Sequence, residues 1–225
     1  MKLSVIIPAL NEERSIGQTL ERAISIQADE VIVVDGGSQD TTREIAKPLA
    51  SYVMESPRGR ALQMNAGAKA AQGDVFLFLH ADTLLHLEAK WVIQEVLFDP
   101  QVVGGRFDIR LDRAGWLYGL VAILVNFRSR LTKVATGDQA IFVRREVFER
   151  IGGFSEISLM EDVEFSKSLK RLGKIACLRK KVVTSARRWE RHGPLKTILL
   201  MWRLRFLYFI GVSPDRLRSY YVDIR

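Results

Sequence analysis

The 225-residue sequence has little of what builds secreted or membrane-spanning proteins. Its one cysteine, Cys177, excludes a disulfide framework and a cysteine-rich zinc site. The apolar stretch over residues 116–127 is too short for a bilayer span, which needs about 20 residues, and the apolar stretch near the C-terminus is interrupted by Arg203 and Arg205. The N-terminal apolar run is interrupted by Pro8 and makes a poor signal peptide. We therefore predict a cytoplasmic protein.

Acidic residues are scarce in only one part of the chain. The 34 basic and 26 acidic residues give a net charge of +8, but residues 1–140 hold 15 basic and 17 acidic residues. Residues 141–225 hold 19 and 9, and within residues 165–205 there are 13 basic residues and one acidic residue, Glu190. This basic field suits phosphate-bearing ligands, an anionic membrane or nucleic acid, and charge alone does not choose among them.

Apolar strands alternate with amphipathic helices over the first hundred residues. Strands without polar residues are typical of a sheet covered on both faces, so the pattern predicts an α/β fold with a mainly parallel, Rossmann-like sheet flanked by helices. We predict strands over 3–8, 30–35, 52–55, 74–79 and 141–143, a strand pair over 102–111 bent at Gly104-Gly105, a short helix opening at 40–44, and helices over 12–26, 60–71, 161–172 and 195–210.

Polar groups follow three of these strands. Ligands bind beyond the carboxyl ends of the strands in such sheets. The three ends read Pro8-Ala9-Leu10-Asn11-Glu12, Asp35-Gly36-Gly37-Ser38 and His80-Ala81-Asp82-Thr83. Neither G-x-G-x-x-G nor G-x-x-x-x-G-K-[ST] occurs, so the usual glycine-rich phosphate loops are excluded.

Each polar residue at these ends has two interpretations. Asp35 suits a hydrogen bond to a nucleotide base or ribose, or the stabilisation of its own turn. Arg58 and Arg60 suit a phosphate or ribose contact, or a solvated loop. Asp82 suits a hard divalent cation or a cap, and His80 on the same side of the chain would shift the preference from Mg²⁺ towards Mn²⁺.

Two later segments also combine chemistry-bearing residues. Glu161-Asp162 begins a helix and suits either a general base or the stabilisation of that helix terminus. Arg187-Arg188-Trp189 suits a diphosphate clamp, stacking on a substrate, or a solvated basic face.

Taken in order, six segments resemble the motifs of inverting family-2 nucleotide-sugar glycosyltransferases with the GT-A fold. The resemblance covers the chain to about residue 192. The segments are Val5–Glu12 (strand-Pro-x-x-Asn-Glu), Val33–Thr42 (the aspartate-rich nucleotide segment), Gly59-Arg60 with Asn65-Ala66-Gly67, His80-Ala81-Asp82 in place of D-x-D, Glu161-Asp162, and Arg187-Arg188-Trp189.

The resemblance implies a role for individual side chains. Asp35 would accept a hydrogen bond from the base, Asp82 would hold Mn²⁺ or Mg²⁺ on the diphosphate, and Asp162 would be the catalytic base that deprotonates a hydroxyl acceptor. The donor-binding positions that it implies are Pro8, Ala9, Asn11, Glu12, Asp35, Gly36, Arg58, Arg60 and Ala81.

Two positions depart from the family pattern. Histidine replaces the first aspartate of D-x-D, so metal binding rests on Asp82, with His80 and His192 as candidate second ligands. The Arg-Arg-Trp element is more compact than the family motif, which leaves the roles of Arg187 and Arg188 open.

These features predict metal-dependent, inverting sugar transfer from a nucleoside-diphosphate sugar, with UDP favoured over GDP, to a hydroxyl on a small molecule or lipid. Residues 1–100 would form the nucleotide-sugar half and 101–192 the acceptor half of one domain. Residues 193–225 would form a basic amphipathic helix and tail, which suits a peripheral contact with the inner membrane surface or a homodimer interface. We expect no nucleic-acid partner.

Two other classes fit parts of the sequence. A sugar-phosphate nucleotidyltransferase would have a glycine-rich phosphate loop directly after its first strand, where this chain has Pro8–Glu12. A non-catalytic basic module would use residues 165–205 to bind anionic lipid or nucleic acid, with salt-sensitive affinity.

Overall fold

The structure, a computed structural model, describes residues 1–221 around one eight-stranded sheet. The strand order is β3-β2-β1-β4-β7-β6-β8-β5. The first four strands in this order are parallel, β7 is antiparallel to both of its neighbours, and β6 and β8 are parallel to each other. The strands are β1 (Leu3–Ala9), β2 (Glu30–Asp35), β3 (Tyr52–Glu55), β4 (Val75–Phe78), β5 (Thr83–Leu84), β6 (Val102–Leu111), β7 (Ile141–Arg144) and β8 (Lys174–Thr184).

Both faces of this sheet are buried, as the uninterrupted apolar strands predict. On β1, Val5 and Ile7 belong to one apolar cluster and Ile6 to another, because successive side chains of a strand point to opposite faces. The helices that cover these faces and the edge of the sheet are α1 (Ile16–Ser25), α2 (Thr42–Ala46), α3 (Arg60–Ala70), α4 (Ala89–Val96), α5 (Trp116–Thr132), α6 (Arg145–Ile151), α7 (Glu161–Lys170), α8 (Arg187–His192), α9 (Pro194–Phe209) and α10 (Pro214–Tyr220).

The predicted helix over 12–26 begins four residues late. Asn11 has a left-handed backbone with φ of 53°, and Ser15 and Ile16 donate hydrogen bonds to the Glu12 carbonyl in a turn. The helix therefore starts at Ile16, and Glu12 stays in the loop at the carboxyl end of β1.

The predicted strand pair over 102–111 is wrong, because the structure has one continuous strand there. Gly104 and Gly105 are needed for close strand packing. A β-carbon on Gly104 would lie 2.5 Å from the Phe142 carbonyl oxygen, and one on Gly105 would overlap the Ala176 carbonyl.

The sheet also crosses the boundary that the sequence predicts near residue 100. β4 pairs with β7, and β5 pairs with β8, so both halves of the chain build one sheet. Since β8 runs in the same direction as β1, β2 and β4, the carboxyl ends of all four strands lie at one edge. The antiparallel β7 begins at that edge, directly after a 3-10 helix at Gly137–Gln139.

The C-terminal helices pack beside this edge. α9 contacts α5, α8 and α10, and an apolar cluster that includes Val163, Leu204 and Leu217 joins α7, α9 and α10. Among the described residues, every helix falls short of the length and apolarity needed to cross a bilayer.

Candidate active site

A cavity of about 550 Å³ opens beyond the carboxyl edge of the sheet. It has a polar end at the strand ends and an apolar wall formed by α5 and α9. Six predicted site residues line it: Pro8, Glu12, Arg60, Ala81, Asp82 and Asp162. These residues come from four separate segments of the chain, and the parallel strand ends bring them together.

An arginine joins two acidic residues at the polar end. Nη2 of Arg187 lies 2.7 Å from Oε2 of Glu12 and 2.8 Å from Oδ2 of Asp82, and it donates a hydrogen bond to each. Glu12 follows β1, Asp82 follows β4 and Arg187 follows β8. One guanidinium therefore connects the ends of three strands across the cavity.

The charges in this cluster hold Asp82 ionised. Burial alone would raise the pKa of Asp82, but the positive charges of His80 and Arg187 and the hydrogen bond from Arg187 outweigh it, and the pKa is lowered. For Arg187, burial would lower the pKa, but the hydrogen bonds to Asp82 and Glu12 reverse the effect and raise it. The cluster is therefore a stable ion pair near neutral pH.

Asp162 lies in the first turn of α7 and lines the same cavity. Its Oδ2 accepts a hydrogen bond of 2.9 Å from the Gly137 amide, and its Oδ1 accepts one of 2.7 Å from the Val163 amide. Burial, followed by the negative charge of Glu161, raises the pKa of Asp162 to about 7. A carboxylate with this pKa exchanges a proton readily near neutral pH, as a general base must.

The loop that holds Asp162 is fixed by its own hydrogen bonds. In the 3-10 segment, the Thr136 amide donates to Oε1 of the buried Gln139 at 3.1 Å. Met160, just before α7, has a left-handed backbone with φ of 72°. Strained non-glycine residues of this kind cluster at functional sites.

Two further charged residues lie near Asp162 on the cavity wall. Arg128 of α5 has a pKa lowered by burial, with the charges of Asp138 and Asp162 acting in the opposite direction. Nη1 of Arg128 and Oδ1 of Asp138 are buried atoms without a hydrogen-bond partner among residues 1–221. Arg128 is not among the site residues predicted from the sequence, where it stands in a polar stretch of α5 with Asn126, Ser129 and Arg130.

Asp35 lies at the same edge but does not line the cavity. It is fully buried, and its carboxylate accepts hydrogen bonds from the amides of Gly37 and Ser38 and from the Ser38 hydroxyl. These contacts match the turn-stabilising interpretation of Asp35. Its contact with a base stays a prediction.

The other predicted donor-binding residues surround this edge. Ala9 is buried, Asn11 is exposed and bonded to the loop after β2, and the Gly36 amide donates to the Ala9 carbonyl. Arg58 lines a smaller cavity of about 60 Å³, which shares Arg60 with the larger one.

The cluster can be tested for its fit to a divalent cation. Within residues 1–221, no group of three or more His, Cys, Asp and Glu side chains is placed to hold a metal alone. His80 and Asp82 line the cavity together, whereas His192 is exposed on α8 and is not among the lining residues. A carboxylate and an imidazole fit a cation that takes its remaining ligands from a diphosphate and water. The Arg187 guanidinium supplies the positive charge beside Asp82.

The sequence and fold were compared with known proteins. The family model described as Glycosyl transferase family 2 matches residues 4–152. "Probable glycosyltransferase YdaM" of Bacillus subtilis is 28% identical over 198 residues, which is 76% of this chain and 47% of that protein. The chain spans between about a quarter and about a half of the length of the first curated relatives that it matches.

Two solved structures show the same fold. Mannosyltransferase PcManGT from Pyrobaculum calidifontis, in complex with GDP-Man and Mn²⁺, has a TM-score of 0.69 at 22% identity, covering 97% of this chain and 67% of that chain. Glucosyl-3-phosphoglycerate synthase from Mycobacterium tuberculosis, in complex with Mn²⁺, UDP and glucosyl-3-phosphoglycerate, has a TM-score of 0.66 at 22% identity, covering 94% of this chain and 81% of that chain. These likenesses confirm the predicted GT-A type α/β fold.

Proposed function

The chain belongs to glycosyl transferase family 2, and on that basis we propose that it transfers a sugar from a nucleoside-diphosphate sugar to an acceptor hydroxyl with inversion at the sugar carbon. One observation carries the proposal. A cavity at the carboxyl edge of the sheet holds both the ion-paired cluster of Glu12, Asp82 and Arg187 and a carboxylate, Asp162, with a pKa of about 7.

The donor occupies the end of the cavity formed by the strand ends. Pro8 is near the end of β1, Glu12 follows that strand and Ala81 follows β4, so the diphosphate approaches backbone at both strand ends. Arg60, at the first turn of α3, adds positive charge on the wall. The base lies towards Asp35, Gly36 and Arg58, with uracil favoured over guanine.

The leaving diphosphate gains negative charge as the sugar departs, and Arg187 lies where that charge develops. Mn²⁺ or Mg²⁺ held by Asp82, with His80 beside it, would supply further positive charge to the diphosphate when bound. The mannosyltransferase and the phosphoglycerate synthase described above were solved with Mn²⁺.

Asp162 acts as the general base for the acceptor hydroxyl. Its carboxylate takes the hydroxyl proton as the acceptor oxygen attacks the sugar carbon. The amide hydrogen bonds from Gly137 and Val163 fix the orientation of the carboxylate before the acceptor arrives. A single displacement of this kind inverts the sugar carbon, because the acceptor attacks from the face opposite the departing diphosphate.

The nature of the acceptor and the surroundings of the enzyme are further proposals. The acceptor is a small molecule or a lipid, and the enzyme acts in the cytoplasm at the inner membrane surface. A membrane and a second copy of the chain compete for one surface, because both would use the exposed apolar faces of α5 and α9.

Nucleotide binding tests the proposal directly. Thermal stability would be measured with UDP, GDP and their sugars, each with Mn²⁺, with Mg²⁺ and with chelator. We expect one nucleoside diphosphate to raise the melting temperature in the presence of metal, and less so for Asp82→Ala. The Asp215→Asn variant, which changes an acidic residue on α10 outside the cavity, should respond like the wild type. If no nucleotide or nucleotide sugar changes the melting temperature, the proposal fails.

Adding nucleoside triphosphates with sugar phosphates, anionic lipid and nucleic acid to the same panel separates the two alternatives. A nucleotidyltransferase would bind a nucleoside triphosphate with a sugar phosphate, and a basic module would bind anionic lipid or nucleic acid without any nucleotide sugar. Membership of the family favours sugar transfer over both.

A further inference from the structure

Two helices of the cavity wall present apolar stripes to the outside. On α5 the exposed large side chains follow a spacing of three or four residues: Trp116, Leu120, Ile123, Phe127 and Leu131. Residues at this spacing lie on one face of a helix. Such a face normally packs against a core, but here it is exposed, with Trp116 77% accessible.

α9 repeats the pattern. Its exposed apolar side chains are Leu195, Leu199, Trp202, Phe206 and Phe209, again three or four residues apart. Phe209 is 83% accessible. Because α5 and α9 contact each other, the two stripes belong to neighbouring elements beside the cavity. Exposed apolar surface of this extent marks an interaction site.

The cavity opens at these stripes. Phe127 of α5 and Trp202 of α9 line the cavity and are also more than half exposed, so they lie at its mouth. Further inside, Leu124, Val125 and Ile198 continue the apolar wall. A ligand that reaches Asp162 from the mouth therefore passes between apolar side chains and arrives at a polar end.

The charges on these two helices indicate which kind of partner covers the apolar stripes. α5 and α9 contain Arg128, Arg130, Lys196, Arg203 and Arg205 and no acidic residue. Arg128 lines the cavity with Asp162, and Arg130 is paired with Asp108, so the exposed cations of these helices are Lys196 and Arg203. A symmetric dimer through this face would place these two cations against their copies, with no acidic residue on either helix to compensate. An anionic bilayer instead accepts the aromatic and aliphatic side chains into its interface and pairs its head groups with the arginine and lysine side chains.

We propose that the α5 and α9 stripes dock into an anionic membrane surface, and that the acceptor is a membrane lipid whose chain enters the cavity mouth at Phe127 and Trp202. The hydroxyl of its head group then faces Asp162. The acceptor half of this proposal rests on the proposed function, whereas the docking half stands without it.

Vesicle flotation tests the docking half. The full chain would be mixed with vesicles of 30% phosphatidylglycerol in phosphatidylcholine, or with phosphatidylcholine alone. We expect binding to the anionic vesicles and at least ten-fold weaker binding for the triple variant Leu199→Ser, Phe206→Ser, Phe209→Ser. Phosphatidylcholine alone should bind several-fold less, since it lacks the anionic head groups that attract the basic side chains.

A matched control uses Phe98, which is 92% accessible and lies outside both stripes. Phe98→Ser should bind vesicles like the wild type. Circular dichroism and the oligomeric state of each variant would be recorded in the same samples. Docking is overturned if the triple variant binds as well as the wild type, or if the wild type does not bind anionic vesicles. In the second case, a dimer that the triple variant dissociates would assign the stripes to a second copy of the chain.

Radiolabel transfer tests the acceptor half. Labelled nucleotide sugars would be incubated with the enzyme and an anionic lipid extract, and label would be counted separately as free sugar and in the organic phase. We expect organic-phase label that the triple variant reduces at least ten-fold, with its hydrolysis of the donor unchanged. Hydrolysis without organic-phase label overturns the lipid acceptor but not the proposed function. If the wild-type enzyme neither hydrolyses any nucleotide sugar nor transfers label from one, the proposed function is overturned, and with it the acceptor half.

Discussion

The strongest prediction concerns the proton on Asp162, because one substitution changes both the reaction and the pH dependence of folding. Asp162→Asn removes a carboxylate with a raised pKa of about 7 while keeping the shape of the side chain. The amide oxygen can accept the hydrogen bond from Gly137 or Val163, but it cannot take a proton from an acceptor.

The effect on the reaction follows from the fraction of Asp162 that is ionised. With a pKa of about 7, about 9% is ionised at pH 6 and about 91% at pH 8. The kcat/KM of the wild type, which reports the free enzyme, should therefore rise about ten-fold between these pH values. For Asp162→Asn we expect a loss of about 10²- to 10⁴-fold, the usual contribution of a general base, and no rise between pH 6 and 8.

The effect on stability has a defined sign. The folded pKa of about 7 lies above the ordinary value of 3.8, so the folded state holds its proton where the unfolded state has lost it. The contribution of Asp162 to stability therefore falls as pH rises from about 4 to about 7. The whole difference is at most about 4 kcal/mol, and cavity water reduces it.

Urea unfolding of both proteins at pH 5, 6, 7 and 8 measures this term. The free energy of unfolding of the wild type should fall relative to Asp162→Asn across the series. Glu164→Gln is the matched control on the same helix. In the wild type, burial would raise the pKa of Glu164, but hydrogen bonds from Lys167 and Tyr208 lower it. This control should keep its activity and lose stability at neutral pH, a loss that closes as pH falls below about 4.5. A constant difference between wild type and Asp162→Asn, together with a flat wild-type rate between pH 6 and 8, would refute the assignment.

Two smaller predictions address the rest of the site. Without nucleotide, Arg187→Gln should bind Mn²⁺ more tightly than the wild type, as measured by electron paramagnetic resonance, because the substitution frees Asp82 and Glu12 from the guanidinium. The control Arg188→Gln removes a guanidinium that lies over Tyr221 and should leave the Mn²⁺ affinity unchanged. Equal affinity in Arg187→Gln and the wild type would contradict competition at Asp82. Gly137→Ala should lower kcat/KM without unfolding the protein, since the added β-carbon would overlap Nε2 of His80. The control Gly119→Ala, whose β-carbon meets nothing within 4 Å, should raise the free energy of unfolding by about 0.5–1 kcal/mol and leave kcat/KM unchanged. Wild-type kinetics in Gly137→Ala would show that the loop tolerates the shift.

Much of the donor half could be predicted because its signals are local. An apolar strand, a polar end and a following helix are read from consecutive residues, and parallel pairing then places the ends together. The strands over 30–35 and 52–55 were predicted with the bounds that the structure has. The start of α1 was not, because it depends on the left-handed backbone at Asn11, and an asparagine allows this conformation without requiring it.

Contacts between distant segments could not be predicted in the same way. Arg187 lies 175 residues from Glu12 and 105 from Asp82, and its segment is compatible with a solvated basic face. β8 was also missed. Its basic run at residues 179–181 suggests a solvated surface, although apolar residues at 175–178 and 182–183 flank it and the strand pairs with β6. Asp35 shows a different limit, since a turn-forming and a ligand-binding aspartate have the same neighbours in sequence.

The family match ends within the proposed site. Residues 4–152 contain Pro8, Glu12 and Asp82 of the proposed donor end, whereas Arg187 of the same end, the proposed base Asp162 and the whole of α9 lie beyond it. The donor chemistry can therefore be argued from kinship, but the acceptor has to be argued from this chain's own surface. That surface combines aromatic side chains and cations without an acidic residue on either helix, a composition suited to an anionic lipid, whereas a small polar acceptor would gain little contact at such a mouth. Enzymes that share the proposed donor half and lack these stripes should consequently leave the lipid phase unlabelled.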